Sequence, residues 1–570
     1  MNKAFKAIWS DARQSFVTTS EKQNSHGKRA KVSVAICAAM LAFGGAASAA
    51  YVETGTLGDK ASWETAEYNY NWGLGAMKAS SAYALGYFGQ NTMVAVMDSA
   101  AWLGNVDLDT PRITATHVTG TYGSSGNRYP QSIYATINKG VQPTPAEGQP
   151  FTEGEEFDVT GNYTIGLNDA HGTQVTGVIG AERNGEYGHG VAFKADVIVG
   201  NTGANDNNNY GPFQDYNYYY NGYKALADAV NSSNGEYRGG MINNSYGTNT
   251  KIYSSNGHIL TPDEMTALLA GEGDHAKAAA AYSVTFSGDY SFLGLDDVPG
   301  ASRYSANPSA FEWEYMYFKL KYGDEPSFLD GAYNAVKGTN VIQSWAAGNQ
   351  DRGTPYLKGL YPYFNPEAEK NWLNAVGVMQ TKGDNNQYMQ ATYCKAGLAK
   401  WWSMAGPTAY PGIGTTYVTN SLEGGRVTTT SFNGTSASDP QITGAFTVLQ
   451  SRYPSMTAIQ VKDVMYTTAT HIGPNGKPFT DWTAAEGTPD VIYGWGMPDL
   501  DKGMYGPGQF LDHFEYRLAE PLDVWSNDIT EAGLQQREKE DKAWMEATKN
   551  GTDPDAGGDY TLGDDMVVLD

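Results

Sequence analysis

Cysteine is nearly absent: the 570 residues hold two, Cys37 and Cys394. Cys37 lies in a segment whose sequence marks it for removal, so the mature chain keeps one thiol and no internal disulfide. Export remains compatible with this, because a large core needs no covalent staple. Basic residues are scarce too, with 38 Lys and Arg against 62 Asp and Glu, for a net charge of −24. A phosphate backbone needs a basic footprint, so nucleic acid is excluded as a partner class. The charge reads first as solubility and second as acidic loops that bind cations. Long apolar runs are also missing. The run Val32–Phe43 falls short of the roughly 20 residues of a spanning helix. There is no internal repeat and no G-x-S-x-G elbow. Nor does the C-terminal part hold a run of alternating strands able to close a barrel.

What is present is a globular composition: 41% hydrophobic, 12% aromatic and 18% charged, with 67 Gly and 39 Tyr. The length allows one large enzyme domain or two to four ordinary ones. Residues 1–49 form an address. Lys28, Arg29 and Lys31 precede the apolar run, and Ala47-Ser48-Ala49 supplies small residues where a signal peptidase reads. Ile36 before Cys37 is too large for a usual lipoprotein signal.

From residue 50 to about 510, short apolar runs alternate with helical patterns. Thr92–Asp98, Asp196–Gly200, Gly240–Ser245, Val341–Ala346 and Leu373–Met379 read as buried strands. Tyr218–Val230, Phe328–Val336, a segment beginning near Ser436, and Thr457–Ala469 read as helices. The alternation predicts an α/β fold: a doubly wound, mostly parallel sheet with helices on both faces. Arg112–Asp158 and Thr248–Ala310 lack sustained periodicity and read as long loop insertions at the ends of the sheet. Residues 511–570 are charged, acidic and Gly-rich, and read as a linker.

Three blocks carry residues with chemistry. VAVMDSA puts Asp98 at the C-terminal end of a strand, the edge where α/β sheets gather ligands. Taken alone, such an acid is more often a helix cap. NDAHGTQVTGVIG puts His171 at the start of a helix whose apolar face carries Val175, Val178 and Ile179. Taken alone, this His is more often structural. NGTSASDPQITG puts Ser436 at the head of another helix, where unpaired N–H groups favour developing negative charge. Taken alone, a Ser beside Gly-Thr is usually a cap. Pro440 is expected to be tolerated because first-turn N–H groups have no partner within the helix. A Ser hydroxyl needs a base to take its proton, and the base needs a carboxylate to fix its tautomer.

In the order Asp, His, Ser, the three blocks resemble those of the subtilisin-like serine proteases, the subtilases. The matching residues are Val96-Met97-Asp98-Ser99; His171-Gly172-Thr173 with Val175 and Gly177; and Gly434-Thr435-Ser436 with Pro440 and Gly444. Further likeness lies in GHGVAFKADVIVG (188–200), SWAAGNQ (344–350) and YGWGMPDLDKGM (493–504). The resemblance implies an exported serine endopeptidase with Asp98, His171 and Ser436 as triad. It implies Asn349 as oxyanion donor, and Ser245, Tyr246 and Gly247 lining the substrate cleft. It implies protein or peptide substrates and no required cofactor or metal; calcium is a family habit for which no ligands can be assigned. Ala100 stands where the family usually has Gly, Gln174 and Gln441 where His is common, and Asp439 is unusual before Pro440. Asp439 is expected to slow proton removal or alter specificity.

MNKAFKAIWSDARQSFVTTSE, with Gly27-Lys28, resembles the extended signal peptide of Gram-negative type V secretion proteins. That implies export through the inner membrane to the cell surface or the medium. WSNDITEAGLQQREKED is similar to the connector of autotransporter proteases. An outer-membrane translocator barrel, not encoded in these residues, then stands as a candidate partner. The chain is read as a fragment or as a passenger whose translocator lies elsewhere. The competing reading is a catalytically weak or inactive subtilase-scaffold passenger that acts as an adhesin.

Overall fold

The computed structural model describes residues 5–10, 15–20, 51–127, 150–163, 168, 170–185, 188–202, 215–247, 325–349, 353–380, 387–408, 419–423, 426–429, 432–485 and 487–506. The apolar run Val32–Phe43, the insertion Thr248–Ala310 and the tail 511–570 lie outside them. The chain divides into two units, Met1–Thr54 and Gly55–Asp570. In the first, Phe5–Ser10 and Ser15–Ser20 pair as an antiparallel hairpin. No helix among the described residues is long and apolar enough to cross a membrane.

The second unit is built on an eight-stranded sheet. Its strands in chain order are β1 (Met93–Asp98), β2 (Ile113–Ala115), β3 (Asp196–Asn201) and β4 (Gly240–Asn244). β5 (Val341–Ala346), β6 (Trp372–Gln380), β7 (Tyr388–Gln390) and β8 (Ser403–Pro407) follow. The spatial order is β7-β6-β5-β4-β1-β3-β2, with β8 pairing β6 as well. Every pairing is parallel except β6 with β7. Parallel strands need crossovers; of the five main helices packed on the sheet, the first three lie in crossovers between strands and the last two follow β8. These are α1 (His171–Gly180), α2 (Tyr216–Asn234), α3 (Phe328–Val336), α4 (Thr435–Arg452) and α5 (Ala458–Thr467).

Successive strand residues point to opposite faces, and the core divides accordingly. Val94 and Val96 of β1 pack with Val175, Val178, Ile442 and Phe446 on the face of α1 and α4. Ala95 and Met97 pack with Tyr219, Tyr223, Leu226 and Phe328 on the face of α2 and α3. Helices therefore cover both faces, and the strands carry apolar residues in both directions. Local signals set the helix ends. Asp215 caps α2 by accepting from Tyr218 N at 2.9 Å, and Gly235 ends it at φ 94°. Ser327 with Asp330, and Thr457 with Gln460, form capping boxes for α3 and α5.

Two expectations need correction. Arg112–Asp158 is not insertion throughout. Ile113–Ala115 is the sheet's edge strand, and His117–Thr121 pairs antiparallel with Glu156–Thr160 as a ribbon. Three strand residues are too few to show a period. Pro440 sits deeper than expected: α4 begins at Thr435, so Pro440 lies inside the helix, past its first turn. The proline has no N–H to offer the Ser436 carbonyl four residues earlier.

Candidate active site

The parallel strands β1, β4 and β5 end at one edge of the sheet, and the chemistry-bearing residues gather there. Asp98 is the last residue of β1 and is fully buried. Its Oδ1 accepts from the Ser99 N–H at 2.7 Å and lies 2.8 Å from His171 Nδ1. His171 is the first residue of α1. Its ring meets Phe432 edge-on at 5.4 Å. A carboxylate on Nδ1 fixes the tautomer that leaves Nε2 basic.

The head of α1 is held against the loop after β1. Gly172 N–H donates to Ser99 Oγ at 3.0 Å, and Trp102 N–H donates to Thr173 Oγ1 at 2.9 Å. A Cβ on Gly172 would stand 2.1 Å from the Ala100 carbonyl oxygen, so only glycine fits. Ala100 itself adopts φ 66°, the left-handed region in which an alanine is strained. A glycine at this position would relax that strain.

Ser436 is the second residue of α4 and is 8% exposed. Its hydroxyl donates to the Ser245 carbonyl at 2.7 Å. Ser245 follows β4, the neighbour of β1, so Ser436 reaches the sheet edge at which Asp98 meets His171. Asn349, beyond the end of β5, is exposed. Its Oδ1 accepts from the Thr435 N–H at 2.8 Å and from Thr435 Oγ1 at 3.0 Å. Thr435 Oγ1 in turn accepts from the Gly348 N–H at 3.0 Å. With its oxygen engaged in this way, the amide presents Nδ2 as a donor. Gly434, at φ 85°, leaves the room this needs: a Cβ there would stand 2.8 Å from Asn349 Oδ1.

The other sequence-predicted residues are placed differently. Tyr246 is not at a cleft surface. Its ring is buried against Trp345 at 5.5 Å, and its hydroxyl meets that of Tyr223 at 2.5 Å. Burial pushes this phenol's pKa well above its usual value. The side chain of Ser245 is also buried, and Gly247 alone of the three is exposed. Of the departures, Gln441 is buried and donates Nε2 to Asn71 Oδ1 at 2.8 Å, joining α4 to the helices before β1. Asp439 is buried as well, accepts from Asn244 N and Ser245 Oγ, each at 3.3 Å, and shares a hydrogen bond with Ser344 Oγ. Sequence reasoning missed Thr435 as the orienter of Asn349, although it adjoins Ser436. It also placed Asp439 near the chemistry without its bonding role. Among the described residues, no group of three His, Cys, Asp or Glu side chains could hold a metal ion. No calcium ligand is assigned.

Residues 89–496, well over half of the chain, match the model described as the subtilase family. The chain belongs to that family. Its residues 1–50 match the extended signal peptide of the type V secretion system, so it carries an address for export to the cell surface or the medium. An extracellular serine protease of Serratia marcescens is 26% identical over 488 residues, 81% of this chain and 36% of the relative. The neisserial autotransporter lipoprotein NalP of Neisseria meningitidis is 26% identical over 186 residues, 31% of this chain and 15% of the relative. The subtilase thus spans about a third of the Serratia protein's length. Among solved structures, fervidolysin from Fervidobacterium pennivorans shares 15% identity at a TM-score of 0.38, over 78% of this chain and 48% of its own.

Proposed function

We propose that this subtilase hydrolyses peptide bonds in proteins through Asp98, His171, Ser436 and Asn349. The 2.8 Å contact between His171 Nδ1 and Asp98 is the observation that carries the reading. The Ser436 hydroxyl turns from the Ser245 carbonyl toward His171, which takes its proton at Nε2. Oγ then attacks the scissile carbonyl carbon. The charge that develops on the carbonyl oxygen is met by Asn349 Nδ2 and the Ser436 backbone N–H, aided by the positive end of α4. His171 next gives its proton to the leaving amine as the C–N bond breaks, which leaves an ester on Ser436. Water, deprotonated by the same imidazole, releases the acid and restores the hydroxyl.

Substrate backbone is proposed to add as a strand beside Ser245–Gly247, through main-chain groups rather than the Tyr246 ring. The substrates are proteins or peptides. An outer-membrane barrel remains the proposed translocating partner. Ser436→Ala is expected to lower peptide turnover by about 10⁶ and to abolish labelling by a fluorophosphonate. Hydrolysis that survives the substitution would remove this mechanism.

A further inference from the structure

Three residues of α4 face the end of β4 at helical spacing: Ser436, Asp439 and Thr443. Thr443 Oγ1 donates to Asn243 Oδ1 at 3.0 Å, and Asn243 Nδ2 donates to Ser245 Oγ at 2.8 Å. Asp439 Oδ2 accepts from Asn244 N and from Ser245 Oγ, each at 3.3 Å. Its Oδ1 is hydrogen-bonded to Ser344 Oγ, which belongs to the neighbouring strand β5. Ser245 is thereby held through its side chain while its carbonyl receives the Ser436 hydroxyl at 2.7 Å. We propose that Asp439 is a positioning residue for Ser436: its carboxyl ties the ends of β4 and β5 to the head of α4 and so sets the Ser245 carbonyl against the nucleophile. The inference rests on the protease reading above.

The carboxyl does this in its neutral form, in which the Oδ1 hydroxyl donates to Ser344 Oγ while Oδ2 accepts from Asn244 N and Ser245 Oγ. Burial pushes its pKa up to about 8, and the charge of Asp98 acts in the same direction. Among the described residues, no other charged group faces it closely. β4, β5, β6 and β8 carry no ionisable side chain. On α1 the titratable group is His171, already paired with Asp98. Lys462 of α5 binds the Trp372 carbonyl at the start of β6, the opposite edge of the sheet. Asp463 is its neighbour on α5. Arg452 closes the far end of α4 on the Met504 carbonyl. The short helix Leu500–Gly503, with Asp501 and Lys502, meets α4 at Leu449. As pH rises past about 8, ionisation puts a second carboxylate into the region of Asp98, which strains the clamp.

The test is kcat and KM against pH for the full chain and its D439A, D439N and S436A variants on a peptide substrate. D439A is expected to lose about 10-fold or more in kcat near neutral pH, because small misplacements at a nucleophile are costly. KM should stay within about threefold. D439N, which reproduces the neutral carboxyl's shape, is expected to recover most of that loss. It should also lack the fall in kcat that is expected of the wild type above about pH 8. A D439A enzyme with wild-type kcat, or a D439N enzyme that keeps the wild-type alkaline limb, overturns the proposal. Should D439A fail to fold, the D439N profile decides alone. An active S436A removes the protease reading and this inference with it. An inactive S436A beside unaltered Asp439 variants removes the inference only.

Discussion

Asn349 is an exposed loop residue, yet Thr435 holds its amide oxygen by two hydrogen bonds. A donor held in place in advance needs no reorganisation when the oxyanion forms. Asn349→Ala is therefore expected to lower kcat by about 10²–10³, as loss of such a donor does in a subtilisin, with KM little changed. Steady-state kinetics on a peptide substrate measure this. Asp439 has a second consequence, for stability. Its folded pKa, pushed up to about 8 by burial, lies above the ordinary carboxylate value. Between the two, the folded chain keeps a proton that the unfolded chain has lost. The stabilisation is complete below the unfolded value and is lost as pH rises through about 8, at up to about 1.4 kcal/mol per pH unit. Asp439→Asn should flatten this slope. Equal slopes in denaturant unfolding from about pH 5 to about pH 8 would show that Asp439 titrates alike in both states.

At the scale of elements, the site depends on how α1 docks on the loop after β1. Gly172→Ala places a methyl 2.1 Å from the Ala100 carbonyl oxygen, and backbone cannot move aside cheaply. A loss of about 2–3 kcal/mol is expected, together with a fall in activity as His171 shifts from Asp98. Ala100→Gly should act in the opposite sense. It releases the strain of the left-handed backbone and raises stability by up to about 1 kcal/mol. Thermal unfolding of the two variants reads both signs. A tolerated alanine at 172 would mean that the helix head has more room than the structure gives it. The same scale explains Pro440, which interrupts the backbone bonding of α4 one turn beyond Ser436.

For the whole molecule, the parallel order of β1, β4 and β5 brings residues 98, 245 and 349 to one sheet edge. The core on one face of the sheet then fixes the helices that carry His171 and Ser436. The chain also carries an export address. Ala47-Ser48-Ala49 marks where the signal ends, so the exported protein is expected to begin at Ala50. N-terminal sequencing of the secreted or surface-released chain checks the boundary, and a start upstream of Ala47 would refute it.

Much of the strand and helix pattern was legible in the sequence. Buried parallel strands are continuously apolar, and the crossover helices keep one apolar face, so Val341–Ala346 and Phe328–Val336 appear with their observed bounds. The residues of the site were legible as motifs, because Gly172 and Gly434 mark places where backbone must approach closely. The contacts between them were not. Tyr246 reads as a cleft residue until Tyr223 and Trp345 are seen to close around it. Asp439 reads as a nearby charge until Ser245 and Ser344 are seen to bind it. Periodicity and local sterics act through neighbours along the chain, and a sequence displays those. Burial, protonation and hydrogen-bond partnership depend on groups far apart along it, and those were decided only when the sheet brought them together.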